Sequence, residues 1–186
     1  MSKRKITLGV FLIIISFLTI FISVLPSIYS NNNAGKVVKV VDVNFDFLKK
    51  EKTPYALLYF GYVGCYTVCP PALNEISQIY KSLDKKKFTF YFINLQPNTP
   101  KENVDEFAKV FDKNFKGIYL NNKQIKKVIS KLNVKYIPSM FDKYDIDHSG
   151  FLHVLKKQEK NIYQQQFIYT TRPFDIEYIT NDLTRL

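Results

Sequence analysis

The chain has 186 residues, 46% of them hydrophobic and 16% aromatic, and a formal net charge of +11. That length suits one compact domain plus an anchor, and the apolar content can fill a core without cross-links. Two cysteines are too few for a disulfide scaffold. No basic-plus-aromatic nucleic-acid module accompanies the lysines, so nucleic acid is excluded as a partner. The clusters Lys49-Lys50, Lys85-Lys86-Lys87, Lys126-Lys127 and Lys156-Lys157 read as solvated faces, with attraction to anionic lipid or an acidic partner as the sharper alternative.

Ile6 to Leu25 is a charge-free run rich in Ile, Leu, Phe and Val. As helix it would be about 30 Å long, one hydrocarbon thickness. It predicts one N-terminal transmembrane helix, with the basic Lys3-Arg4-Lys5 kept cytoplasmic and the remainder exported. A cleaved signal peptide is the competing reading, but the apolar run is long for one and Ile28-Tyr29-Ser30 is a poor cleavage site. The expected organisation is therefore a cytoplasmic tip and anchor at 1–29, a polar linker at 30–36 and a folded domain at 37–186. The anchor implies a single-pass protein of the plasma (inner) membrane whose domain faces the periplasm or exterior. Without a transit-like segment, a bacterial membrane is favoured over the mitochondrial inner membrane.

Val37 to Val43 is a β-branched strand candidate, and Tyr55 to Phe60 a short buried one. Pro70-Pro71 opens a helix whose inner face carries Leu73, Ile76, Tyr80 and Leu83. Phe88 to Asn94 is the next strand. Thr99-Pro100-Lys101-Glu102 has the form of a capping box, leading a helix with Val104, Phe107, Ala108 and Phe111 inward. Gly117 to Leu120 is a weak strand. Ile125, Val128, Ile129 and Leu132 mark another helix, with Asn133 as its cap. Tyr136 to Ser149 reads as a long loop of the kind that carries function. Phe151–Leu155 and Ile162–Tyr169 form a hairpin, and a closing helix follows Pro173 with Ile176, Ile179 and Leu183 inward. Alternating strands and helices followed by a hairpin predict an α/β, thioredoxin-like fold, a mixed sheet flanked by helices.

The chemistry concentrates at Cys65 and Cys69, which lie between the end of a strand and the start of a helix. Gly61 and Gly64 let Cys65 sit in the turn while Cys69 meets the helix. A helix N-terminus favours thiolate, the form that attacks disulfides and also binds Cu(I). Three intervening residues leave room for a metal between the sulfurs. A third ligand is then needed, for which a neutral histidine is suited. His148, in the loop entering the hairpin, is brought beside the cysteines by topology. A structural disulfide is the plainer reading, against which the short loop between the cysteines argues. His153 alternates with Leu152 and Val154 and belongs to the other strand face. Met140 reads as packing, and Tyr62 and Tyr66 as shields of the site.

Gly61-Tyr62-Val63-Gly64-Cys65-Tyr66-Thr67-Val68-Cys69-Pro70 resembles the Gly-Tyr-x-x-Cys-x-x-x-Cys-Pro signature of the Sco (SenC) family, and Asp147-His148-Ser149 resembles its Asp-His-Ser/Thr element. Asn94-Leu95-Gln96-Pro97-Asn98-Thr99-Pro100 is similar to the family's strand-end Asp-Pro loop. The resemblance covers roughly 37–186 and includes the anchor. It implies a thioredoxin-like metallochaperone, not an enzyme, that delivers copper to the binuclear copper centre of cytochrome c oxidase. Cys65, Cys69 and His148 would be ligands of Cu(I) or Cu(II), and the partners would be a copper-receiving oxidase subunit and a thiol reductant protein. Tyr66-Thr67 stands where the family has Pro-Asp, and Gln96 where it has an acid, so any function using those carboxylates is in question. The alternative is a thiol-disulfide oxidoreductase that keeps partner cysteines reduced, with Cys65, the more exposed, attacking and Cys69 resolving. Ile137-Pro138-Ser139 resembles the Ile-Pro-Thr loop of thioredoxins, whose cis-proline faces the cysteines. The poor strand pattern after it places the hairpin strand at Phe151–Leu155 instead.

Overall fold

The computed structural model describes residues 11–22, 34–138, 146–159 and 162–186. Contacts divide the chain into two units, Met1–Asn33 and Ala34–Leu186. In the first, 11–22 form a helix, α1, whose Phe11, Ile14, Phe17 and Phe21 are exposed. The ends of the apolar run Ile6–Leu25 lie outside the described residues, as does Met140. Among the described residues no helix is long and apolar enough to cross a membrane.

The second unit runs β1 (Lys36–Val43), a 3-10 turn (Asp46–Leu48), β2 (Tyr55–Gly61), α2 (Cys69–Lys81), β3 (Phe88–Asn94), α3 (Lys101–Phe111), β4 (Lys116–Ile118), α4 (Asn122–Leu132), β5 (Tyr136–Pro138), β6 (Ile146–His148), β7 (Leu152–Lys157), β8 (Tyr163–Tyr169) and α5 (Ile176–Thr184). Six strands form one sheet in the order β1-β8-β7-β2-β3-β4. The β2–β3 and β3–β4 pairs are parallel, joined through α2 and α3, while β7 lies antiparallel to both β2 and β8. This is the thioredoxin-like arrangement, a mixed sheet with flanking helices.

β2 and β3 are the middle of the core. All seven residues of each are buried, which is why both read as near-continuous apolar runs, broken in β3 only by Thr89 and Asn94, instead of alternating ones. Fully burying a side chain such as Leu57 or Leu58 is worth about 1.5–3 kcal/mol. Phe90 and Phe115 meet at 4.0 Å between centroids, and Phe92 and Phe107 at 5.1 Å, so phenylalanines fill much of the space under α3.

Two local expectations need correction. Thr99 is not a cap: α3 begins at Lys101 after Pro100, no side chain caps it, and the Thr99 hydroxyl turns to Gln96 Oε1 at 3.5 Å. The capping box instead stands on α4, where Asn121 and Gln124 bond each other's backbone N–H. Asn133 closes α4 in the left-handed conformation, φ 53°, as its position suggested. The second correction concerns Tyr136–Ser149, which is not wholly loop. Its ends pair as a small antiparallel ladder, Tyr136 opposite His148 and Pro138 opposite Ile146. Pro138 is exposed on that ladder, and among the described residues the one cis peptide bond precedes Pro173. The hairpin strand beside β2 is β7, in agreement with its placement at Phe151–Leu155.

Candidate metal centre

The site forms where β2 ends. Gly61 closes the strand, and a Cβ there would come within 2.8 Å of both Cys69 Sγ and the Phe92 ring. Only hydrogen at this position lets the start of α2 approach so closely. Gly64 adopts φ +96°, a region that favours glycine, and turns the chain back toward the helix. Cys65 then sits in the turn and Cys69 is the first residue of α2, with Pro70-Pro71 tolerated in the first turn because those positions lack intrahelical N–H partners. Asn94, at the end of β3, holds the turn in place. Its Oδ1 accepts from Val63 N at 3.1 Å and its Nδ2 donates to Gln96 O at 2.5 Å, while Leu95 N donates to Gly61 O at 2.7 Å.

His148 arrives from the other side of the sequence on β6. Lys135 and Ser149, just beyond the Tyr136–His148 pair, extend the ladder through backbone and hydroxyl bonds. The imidazole Nε2 stands 3.7 Å from Cys69 Sγ. Tyr59 and Tyr62 flank the ring edge-on, with centroids 6.3 and 6.0 Å away. Cys65 Sγ, Cys69 Sγ and one His148 nitrogen all lie within 4.8 Å of one another. All three residues singled out in the sequence are thus brought together. His153 is not: it is buried in β7 against Phe60, with Nδ1 2.6 Å from Gln165 Oε1. Asp147 points away to an ion pair with Lys135 at 2.5 Å.

Both cysteines are free, and both are buried, Cys65 at 3% and Cys69 at 0% exposure. The expectation that Cys65 is the more exposed of the two holds, by a narrow margin, since both are buried. Tyr66 is corrected, since it is 89% exposed and shields nothing, whereas Tyr62 is buried against the imidazole as expected.

The two sulfurs are electrostatically unequal. The Cys69 thiol donates to Cys65 and holds the Cys65 pKa far below the ordinary thiol value; burial opposes this, and His148 with the Cys69 and Val68 amides reinforces it. The Cys69 N–H to Cys65 Sγ bond, at 3.4 Å, is the helix N-terminus acting on the sulfur. Cys69 is pushed well upward, first by its bond to Cys65, then by burial and the Cys65 charge. The two shifts run in opposite directions, so the proton of the pair is biased toward Cys69 and Cys65 toward thiolate. A soft cation that displaces this proton would find two sulfurs and an imidazole already converged, a donor set suited to copper and unsuited to hard, oxygen-seeking cations.

Tyr59 escaped the sequence reading, which saw only another apolar position of a buried strand. A hydroxyl-bearing side chain two residues before Gly61, in the middle of a fully buried strand, was the available signal.

Comparison with known proteins agrees with this geometry. The SCO1/SenC family model matches residues 49–184. An SCO2-like protein of Rickettsia conorii is 30% identical over 168 residues, covering 84% of this chain and 80% of that protein. Among solved structures, apo Sco1 from Thermus thermophilus superposes with a TM-score of 0.60 at 22% identity, covering 80% of this chain and 89% of that one. Arabidopsis thaliana ScoI with copper bound gives a TM-score of 0.63 at 20% identity, covering 74% and 86%. The fold is shared with both, and the family match embraces both cysteines and the histidine: the chain belongs to the SCO1/SenC family.

Proposed function

We propose that this protein is a membrane-tethered copper carrier in which reduced Cys65 and Cys69, with His148, hold one copper ion as cargo. The observation that carries the reading is the convergence of three soft or borderline donors within 4.8 Å, with both thiols free. Copper binding removes the proton of the pair, and His148 completes a three-donor set that a recipient's ligands replace one at a time. The recipient in this reading is the copper-accepting subunit of cytochrome c oxidase, at its binuclear copper centre, and a thiol reductant protein keeps the pair reduced. A disulfide between Cys65 and Cys69 would remove both sulfur donors. Residues 1–29 form the cytoplasmic tip and anchor and 30–36 the tether, and 37–186 is the carrier domain. It faces the periplasm or exterior of a bacterial inner membrane. The apolar run at Ile6–Leu25 and the basic residues before it support that placement.

Thiol-disulfide exchange is the second reading, favoured by the thiolate character of Cys65 beside a protonated Cys69. One experiment separates them. The reduced full-length chain in detergent is titrated with Cu(I) against a competing chelator, beside Cys65→Ser, Cys69→Ser and His148→Ala. One tight equivalent that weakens in all three variants is expected. If the wild type does not compete for copper, the carrier reading fails. Intact disulfide exchange in His148→Ala with copper affinity lost assigns the histidine to metal alone.

A further inference from the structure

β1 is an outer strand of the six-stranded sheet, and among the described residues it pairs with β8 alone. Val37, Val38 and Val40 on it are 47%, 73% and 61% exposed. Proteins usually blunt such an edge with charge or proline, so a bare row of valines marks a surface that something covers. The charge beside it has one sign. α4 lies alongside, joined to β1 by Lys39 Nζ donating to Leu132 O at 3.5 Å. A groove of about 930 Å³ runs between the two, lined among others by Val41, Lys126, Lys127 and Lys131. α4 carries four lysines and no acid. Lys126, Lys127 and Lys131 are exposed and form no ion pair among the described residues, whereas Lys36, Lys49, Lys109, Lys116 and Lys135 each do. The acids on this side, Asp42 and Asp46, are bonded to Gln164 and Lys49. Apolar side chains flanked by unpaired lysines complement an anionic lipid surface, where valines reach the acyl boundary and ammonium groups meet the headgroups.

The length of the tether points to the same occupant. Ala34 is buried in the domain, and Gly35 O accepts from both the N–H and the hydroxyl of Thr170. Only residues 26–33 then separate the apolar run Ile6–Leu25 from the start of β1. Eight residues span at most about 30 Å however extended, so lipid is always within reach of this strand. We propose that the rim formed by β1 and α4 is a lipid-docking face, with Val37, Val38 and Val40 resting on an anionic bilayer and Lys126, Lys127 and Lys131 against its headgroups. The inference rests on the reading of Ile6–Leu25 as a membrane anchor. Its consequence is a set height for the three-donor site: β2 lies three strands in from β1, about 14 Å at ~4.8 Å per strand. A docked rim holds the sulfurs clear of the lipid and level for a recipient in the same membrane.

The chain has no tryptophan, so a single introduced one reports its own surroundings. Val38→Trp probes the rim. Val110→Trp, on α3 and 79% exposed, probes the opposite end of the sheet. Each full-length variant is reconstituted into vesicles of brominated phosphatidylcholine, with or without phosphatidylglycerol, and its emission is compared with that in unbrominated vesicles. With phosphatidylglycerol present, Val38→Trp should lose about half or more of its emission to the brominated tails, because a docked apolar face sinks to the acyl boundary. Val110→Trp should lose little. Adding Lys126→Gln, Lys127→Gln and Lys131→Gln together, or raising salt to about 1 M, where charges are screened within about 3 Å, should restore the emission. An unquenched Val38→Trp overturns the proposal, and so does equal quenching at Val110→Trp or in purely neutral vesicles. If a second copy covers the rim instead, the probe stays unquenched and a dimer in detergent dissociates on Val38→Lys. If an acidic protein covers it, the probe stays unquenched in these protein-free bilayers. An alkaline carbonate wash separates the two failures: a chain that leaves the vesicles sinks the anchor reading and this inference with it, whereas a retained chain with an unquenched probe sinks the inference alone.

Discussion

Lys135 and Ser149 exchange two hydrogen bonds, Lys135 N donating to Ser149 Oγ at 3.1 Å and Ser149 N to Lys135 O at 3.3 Å. This clamp lies one residue beyond the Tyr136–His148 pair and fixes the strand that carries the imidazole. Replacing Ser149 by Ala leaves the Lys135 amide without its acceptor and is expected to cost about 1 kcal/mol. Cu(I) affinity should fall with it, because His148 loses its support. Chemical denaturation and chelator competition measure the two effects.

Asp147 sits next to the histidine in sequence yet serves Lys135, in an ion pair whose side chains are 53% and 60% exposed. An exposed pair of this kind contributes about 0–1 kcal/mol. Asp147→Asn should therefore leave Cu(I) affinity nearly unchanged. A large loss would show that the carboxylate acts on the imidazole.

Gly61→Ala places a methyl 2.8 Å from both Cys69 Sγ and the Phe92 ring. Neither the helix start nor the buried ring has room to yield freely. The expected cost is about 1–3 kcal/mol of stability, with weakened copper binding as Cys69 is displaced. Urea unfolding reads the first and metal competition the second.

His153 is buried neutral, and burial lowers its pKa to about 4 from 6.5. Gln165 Nε2 donates to Lys39 O, which turns its Oε1 toward His153, so Nδ1 carries the imidazole hydrogen. The folded pKa is depressed, so its contribution is complete above pH 6.5 and lost as pH falls toward 4. The full loss is about 3 kcal/mol. His153→Gln should flatten the stability profile in that window, as equilibrium unfolding at stepped pH would reveal.

Glu51 governs a lower window. Although burial opposes it, hydrogen bonds from Lys116, Tyr91 and the Thr53 and Lys52 amides hold its pKa down to about 2 from 4.5. Its contribution is present above pH 4.5 and disappears as pH falls toward 2. With Lys116 half exposed and Glu51 at 7%, the amount is about 2 kcal/mol after solvent screening. Glu51→Gln should remove that pH dependence and lower stability at pH 7, as acid titration followed by circular dichroism would show.

Much of this was legible because the informative residues obey local rules. β2 is an unbroken apolar run and β3 a nearly unbroken one, Gly61 and Gly64 precede Cys65, and Pro70-Pro71 can stand only near a helix start. What was not legible depends on partners distant in sequence. Tyr136 and His148 pair over only three residues per strand, and exposed Pro138 disguises the ladder as loop. Thr99 had an acid three residues on and looked like a cap, but Gln96 offered its hydroxyl another partner. The burial of Cys65 could not be read from the turn motif alone, because burial depends on what the rest of the fold packs over it.

The donors are mounted on two different supports. Both sulfurs are fixed to the junction of β2 and α2, at the centre of the six-stranded sheet, while the imidazole stands on a ladder of three residues a side outside that sheet. Short ladders open at lower free energy than central strands. The site is therefore a vice with one fixed and one sprung jaw: amides of β5 and β6 should exchange hydrogen faster than those of β2 and β3, and a bound copper ion should loosen first on the histidine side while the thioredoxin-like frame stays shut.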